Sequence, residues 1–168
     1  TEAVGPNPLN AVVPLGGHIA PMKCASAPVY TWKRDVDTDS LTKAFRAWGQ
    51  DQHNVALASI GPIDKIQLAG LNVHGRATQL RVIDQSGNTA MINAVDVGSA
   101  LFDIEGGPPM SGWFSATRDG ETLTLVGRGF GHGAGLCQYG AAAMGQSGEP
   151  MQHILKFYYP GATIKTAW

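Results

Sequence analysis

The 168-residue chain is 43% hydrophobic and 15% charged, with 12 Lys+Arg against 13 Asp+Glu and a net charge of −1. That balance excludes disorder, which pairs low hydrophobicity with high net charge, and removes the electrostatic case for nucleic acid or an anionic membrane as partner. The length suits one domain with its own core, and the longest apolar runs, such as residues 136–144, are too short to span a bilayer.

Glycine, at 22 residues, is about 13% of the chain against an average near 7%, which points to a protein rich in loops and strands. Residues 1–27 carry Pro6, Pro8, Pro14, Pro21 and the pair Gly16-Gly17. No hydrophobic period survives there, so they read as an extended arm on a body formed by residues 28–168. A helix follows, with Thr38 or Asp39 as cap and Leu41, Ala44, Phe45 and Trp48 at i, i+3, i+4 and i+7. Gly49 is its expected stop.

Residues 55–125 read as short strands. In 77–84, Leu80 and Val82 share one face while Gln79 and Arg81 share the other; Phe102 and Ile104 alternate in the same way. Turns are expected at 84–88 and 118–120. From 127 to 135, Gly127, Gly129, Gly131, Gly133 and Gly135 alternate with Arg128, Phe130, His132 and Ala134. On a strand this leaves one face as bare backbone and lets the other present Arg, Phe and His; such glycines mark close approach by another backbone or a ligand. An Ala-rich helix over 136–144 then stops at Gly145. A second starts near Pro150, buries Met151, Ile154, Leu155 and Tyr158, and ends at Pro160-Gly161. The predicted fold class is α+β: β-rich, mostly antiparallel short strands with a few helices, and a Gly-rich strand leading into a carboxy-terminal helix pair. It forms a single domain or the carboxy-terminal portion of a larger one.

The run Gly127-Arg128-Gly129-Phe130-Gly131-His132-Gly133-Ala134-Gly135-Leu136-Cys137-Gln138-Tyr139-Gly140-Ala141 resembles the signature of the stage II sporulation protein D and amidase-enhancer family. Residues 154–161 look like that family's closing helix, and 26–32, 99–104 and Gly75-Arg76 are weaker matches. Members of the family act on bacterial cell-wall peptidoglycan. The best understood are lytic transglycosylases, which cleave between muramic acid and glucosamine units and leave an anhydro-muramic end. In them one glutamate protonates the glycosidic oxygen and then takes the proton of the muramic hydroxymethyl group, whose oxygen attacks internally.

That glutamate, and the zinc-binding Cys/His cluster of some members, lie upstream of the matching region, and Thr1-Glu2 looks like the end of a Gly-Gly-x-Thr-Glu motif. Neither is carried over. The resemblance therefore implies a substrate-framing carboxy-terminal part of a lytic transglycosylase, located in the cell envelope or outside the cell, whose partners are peptidoglycan glycan strands and a second chain or segment bearing the glutamate. These 168 residues alone are expected not to cleave glycan. The alternative is a non-catalytic wall-binding module or amidase enhancer that recruits or activates a peptidoglycan amidase; a structural remnant without a sugar site is a third reading.

Within that frame the catalytic residue is unknown, and His132 is the supporting candidate. Flanked by glycines, it is able to orient a carboxylate or donate to a glycosidic or acetamido oxygen; the alternative is a buried histidine bonded to a backbone carbonyl. Gln138 offers an amide for N-acetyl and hydroxyl groups, and Tyr139 a stacking face, or the two cap backbone and fill core. Arg128 suits a muramic lactyl carboxylate or a surface ion pair. Among Trp32, Trp48, Trp113 and Trp168, only Trp113 is kept as a glycan contact. Glu105 and Glu149 are the carboxylates to test as a replacement acid, though Glu149 at a helix start favours an anionic over a general-acid role. No cofactor is expected. His18, Cys24, His132 and Cys137 lack the tight spacing of a zinc site, so no metal is expected either. Cys24 and Cys137 both lie in family-matching motifs, which implies contact or a disulfide between them.

Overall fold

The computed structural model describes residues 28, 30–72, 77–131, 135–159 and 162–165. The arm (1–27), His18, Cys24, Gly75-Arg76, His132, Pro160-Gly161 and Trp168 lie outside them.

In chain order the elements are β1 (Thr31–Asp37), α1 (Thr38–Asp51), α2 (Val55–Ala58), β2 (Ile63–Leu71), β3 (Ala77–Asp84), β4 (Thr89–Asn93), α3 (Val97–Ala100), β5 (Phe114–Asp119), β6 (Thr122–Arg128), α4 (Gln138–Gln146) and α5 (Met151–Tyr158). The strands form one antiparallel sheet in the order β1-β6-β5-β2-β3-β4. The expected α+β, β-rich class is what the chain adopts. None of the described helices is long and apolar enough to cross a membrane.

Period-two alternation sets the layers, because successive side chains on a strand face opposite ways. Trp32 and Val36 of β1, Leu80 and Val82 of β3, Phe114 and Ala116 of β5, and Leu123 and Leu125 of β6 are buried on one face. Leu41 and Phe45 of α1, Leu57 of α2, Val97 of α3, and Leu101 and Ile104 pack onto it. Thr31, Lys33, Gln67, Gln79, Arg81, Ser115, Thr117 and Val126 are exposed on the other, the pattern of an antiparallel sheet with one solvated side.

Several local expectations change. Asp37, rather than Thr38 or Asp39, caps α1: its Oδ1 accepts the Ser40 N–H at 2.7 Å. Because β1 runs straight into α1, the first side chain free to fold back is Asp37. Gly49 does not end α1. It is buried within it, and a Cβ there would sit 2.4 Å from the Ala58 nitrogen, so this glycine admits α2. Residues 55–58 form that helix instead of a strand, capped by Asn54. Phe102 and Ile104 lie in turns after α3, where Ile104 is buried and Phe102 exposed, so they share no strand face. In α5 only Tyr158 of the predicted stripe is buried; Ile154 and Leu155 are half-buried and Met151 is 59% exposed, because α5 packs on α4 rather than on the main core.

Candidate functional site

The antiparallel sheet has two ends. At one lie the starts of β1 and β5 and the close of β6, where the Gly-rich run begins. The strand expected through residue 135 ends at Arg128. Gly127 still belongs to it and turns its bare side to the core: a Cβ there would lie 2.2 Å from Cζ2 of Trp32, which packs across it and tilts against Phe114 at 5.7 Å between ring centres. Gly129 and Gly131 have φ of 76° and 80°, in the left-handed region. L side chains are disfavoured there, so the chain turns instead of extending, and the run is not one continuous strand.

The turn is fixed from both sides by hydrogen bonds. Gly129 N–H donates to the Tyr30 carbonyl at 2.9 Å, and Trp32 Nε1 donates to the Gly129 carbonyl at 3.1 Å. Gly131 N–H donates to the Met110 carbonyl at 2.6 Å, and Arg128 N–H to the Trp113 carbonyl at 2.9 Å. The buried Ser111 hydroxyl donates to the Arg128 carbonyl at 2.6 Å and accepts the Trp113 N–H at 3.2 Å. The sequence does not single out Ser111, since a serine before Gly112-Trp113 carries no signal that separates this role from an ordinary loop.

The candidate residues fall as follows. Arg128 is exposed on the open face, and the register pairing Phe114 with Gly127 sets it opposite half-buried Trp113. Phe130, between the two left-handed glycines, is 72% exposed. Gln138 and Tyr139 begin α4; both are exposed, Tyr139 at 50%, so Tyr139 does not fill the core. Cys137 caps that helix, its Sγ accepting the Gly140 N–H at 3.4 Å. Gly140 lets the two last helices meet, since a Cβ there would be 2.1 Å from the Tyr158 hydroxyl. His132 and Cys24 lie outside the described residues, so neither the role of His132 nor the Cys24–Cys137 pairing is placed.

Two other candidates take structural settings. Glu149 Oε2 lies 3.0 Å from His153 Nδ1, an i,i+4 pair at the start of α5. Glu105 is exposed, but its loop is tied down: Arg34 Nη1 donates to the carbonyls of Gly107 and Pro108, and Pro109 is buried. Glu105 lines an open groove of about 700 Å³ with Lys43, Trp48, Asp51 and Asp103, in the helical layer. Trp32 is core, as expected, while Trp48 is half-buried between core and groove. Among the described residues no group of three His, Cys, Asp or Glu side chains is arranged to hold a metal.

Comparison with known proteins bears on this arrangement. Residues 18–135 match the family described as "Domain of unknown function (DUF8618)". The chain is 46% identical over 54 residues to Stage II sporulation protein D of Bacillus subtilis (strain 168), covering 32% of this chain and 16% of that protein. It is 44% identical over 54 residues to the Amidase enhancer of the same organism, covering 32% of this chain and 8% of that protein. To Stage II sporulation protein D of Bacillus amyloliquefaciens it is 37% identical over 103 residues, 61% of this chain and 29% of that protein. The chain thus spans less than a third of the length of these relatives. With more than half of its residues matched, the chain belongs to the DUF8618 family, and it is a relative of the stage II sporulation protein D and amidase-enhancer proteins.

Proposed function

We propose that this chain recognises the glycan of bacterial peptidoglycan at its Gly-rich end and frames the site of a wall-directed protein, a lytic transglycosylase being the favoured whole. The observation that carries the reading is Phe130. An isolated exposed aromatic is ordinary on a protein surface. This one stands between two left-handed glycines whose backbones are bonded to Tyr30 and Met110, so its position is fixed without its ring being buried. An exposed aromatic on a fixed backbone suits a sugar ring, because little backbone freedom is lost on contact.

Nearby in sequence, Tyr139 offers a second exposed aromatic with a hydroxyl, Gln138 an amide for acetamido groups, and Arg128 a cation for lactyl carboxylates freed of stem peptide. His132 would hold the sugar or the glutamate of a second chain or segment. The names of the relatives support a role at the cell wall and envelope, and the printed name "Amidase enhancer" supports a second reading: the same surface engages wall glycan while the protein stimulates a peptidoglycan amidase.

The test is binding to purified peptidoglycan and to glycan strands freed of stem peptides, with His132→Ala beside wild type. The reading expects weaker binding with melting within about 1 kcal/mol of wild type, as for a site away from the core. A loss of about 1–3 kcal/mol from orphaned partners, with binding per folded molecule intact, would contradict it. Release of anhydro-muramic products when the chain is combined with a glutamate-bearing segment supports the transglycosylase; faster cleavage by a purified amidase, with no such products, supports the enhancer.

A further inference from the structure

The open face of the sheet has its own charge pattern. The row Lys33–Val126–Ser115 on β1, β6 and β5 and the row Gln67–Arg81–Met91 on β2, β3 and β4 are set side by side by the β2–β5 register, in which Lys65 pairs with Thr117 and Ile66 with Ala116; continued by one residue, that register aligns them across the six strands. All of these are exposed except Met91, which is half-buried. Four strand spacings separate Lys33 from Arg81, roughly 19 Å. Arg128 stands two residues beyond Val126, toward the Gly-rich end, paired with Thr31, and Gln79 stands two residues beyond Arg81 in the same direction. None of Lys33, Arg81 and Arg128 forms an ion pair among the described residues.

The acids lie the other way along the strands. The next row holds Asp35, Thr124, Thr117 and Lys65, with Asp64 at the adjoining bulge of β2, and the last holds Asp37, Thr122 and Asp119. Asp35 is engaged by the Thr124 hydroxyl at 2.6 Å, and Asp37 by the α1 cap. On a chain of net charge −1, the two rows nearest the Gly-rich end therefore carry three cations and no carboxylate, interleaved with Gln, Ser, Thr and one exposed valine.

We infer that this cationic half of the open sheet face is a secondary docking surface for a carboxylate-bearing wall glycan, which continues from the Gly-rich end across Val126 toward Arg81. The inference rests on the glycan-recognition reading and adds the track of the strand and the reason for selecting muramic acid over neutral sugars. Charge complementarity names the occupant: free lactyl carboxylates repeat along peptidoglycan glycan once its stem peptides are removed, whereas chitin oligomers have the same amino-sugar backbone without them. Separated cations with hydrogen-bonding side chains between them suit repeated single charges on a polar polymer.

The experiment compares wild type with Lys33→Gln/Arg81→Gln on glycan strands freed of stem peptides and on chitin oligomers, at two salt concentrations. Both substitutions are on the solvated face, so melting should match wild type. Wild type should prefer the carboxylated strands, and more so at low salt. The double variant should lose about fivefold on those strands, the sum of two modest surface attractions, and the salt effect should shrink with it. Equal binding of variant and wild type to carboxylated strands would overturn the inference while leaving glycan recognition at Phe130 standing. Competition by a wall phosphodiester polymer but not by the glycan would overturn it in favour of another occupant. Wild type that binds neither sugar would remove the reading beneath it as well.

Discussion

The two ends of the sheet are finished by opposite means. At the end away from the Gly-rich run, side chains do the joining. Asp84, buried, accepts N–H groups from Gly61 at 2.8 Å, Ser86 at 2.9 Å and Asn88 at 2.8 Å, and the Asn88 amide at 2.9 Å. Asp37 caps α1 there, and Arg118 Nε donates to the Gly120 carbonyl to close the β5–β6 turn. At the other end the joining runs mostly through backbone groups, with Gly129 and Gly131 bonded to Tyr30 and Met110, while Arg128 and Phe130 stay in solvent. An end that spends its side chains on its own turns has few left to offer a ligand. An end built from glycine and backbone hydrogen bonds keeps them.

This contrast predicts that losing a side chain at the first end costs stability, whereas losing one at the second costs recognition and only the glycines there are needed for stability. The largest stability loss should come from Asp84→Ala, which leaves several amides without their acceptor: about 2–4 kcal/mol, read from denaturant unfolding, with glycan binding per folded molecule intact. The acid limb adds a sign. Hydrogen bonds, first from the Asn88 side chain, hold the Asp84 carboxyl below its ordinary value of 3.8. Its contribution is therefore full above that value and disappears as pH falls through the lower folded value. The stability gap between wild type and Asp84→Asn should narrow below about pH 4, and a gap constant down to pH 2 would refute this account of Asp84.

Gly127→Ala comes next. Its methyl would press on the Trp32 ring, an overpacking cost of about 1–3 kcal/mol. Gly131→Ala meets no neighbour within 4 Å but must hold a left-handed φ, costing about 1–2 kcal/mol. The pair sharpens the comparison, because the first should disturb the core side of β6 and the second the presentation of Phe130. Near-UV circular dichroism of Trp32 should change in Gly127→Ala and stay close to wild type in Gly131→Ala; the opposite result would reverse the roles assigned to these glycines.

What the sequence disclosed follows the same division. The face pattern of β3, the turns at 84–88 and 118–120 and the Leu41–Phe45 stripe were legible, because alternation, turn residues and helical spacing are carried by side chains of distinct chemistry. The glycines were not. Alternation across 127–135 reads as one strand, yet Gly127 admits a tryptophan while Gly129 and Gly131 reverse the sign of φ, and a residue without a side chain announces neither. Gly49 misled in the same way, since a helix stop and a close approach by another helix use the same residue. Arg128 and Tyr139 are exposed as a binding role requires, but Ser111 was invisible, because its hydroxyl matters only once the chain has folded over it. Spacing alone suggests a buried place for Met151, and packing against α4 does not need it.

The smallest stability change should come from Phe130→Ala, within about 0.5 kcal/mol of wild type for a side chain this exposed, and it is the variant that tests recognition most directly. Its affinity for peptidoglycan glycan strands should be measured with its unfolding free energy on the same preparation. Binding weaker by about tenfold, or roughly 1.4 kcal/mol, with unfolding unchanged, is the result predicted for a glycan-reading Gly-rich end; affinity equal to wild type would contradict it.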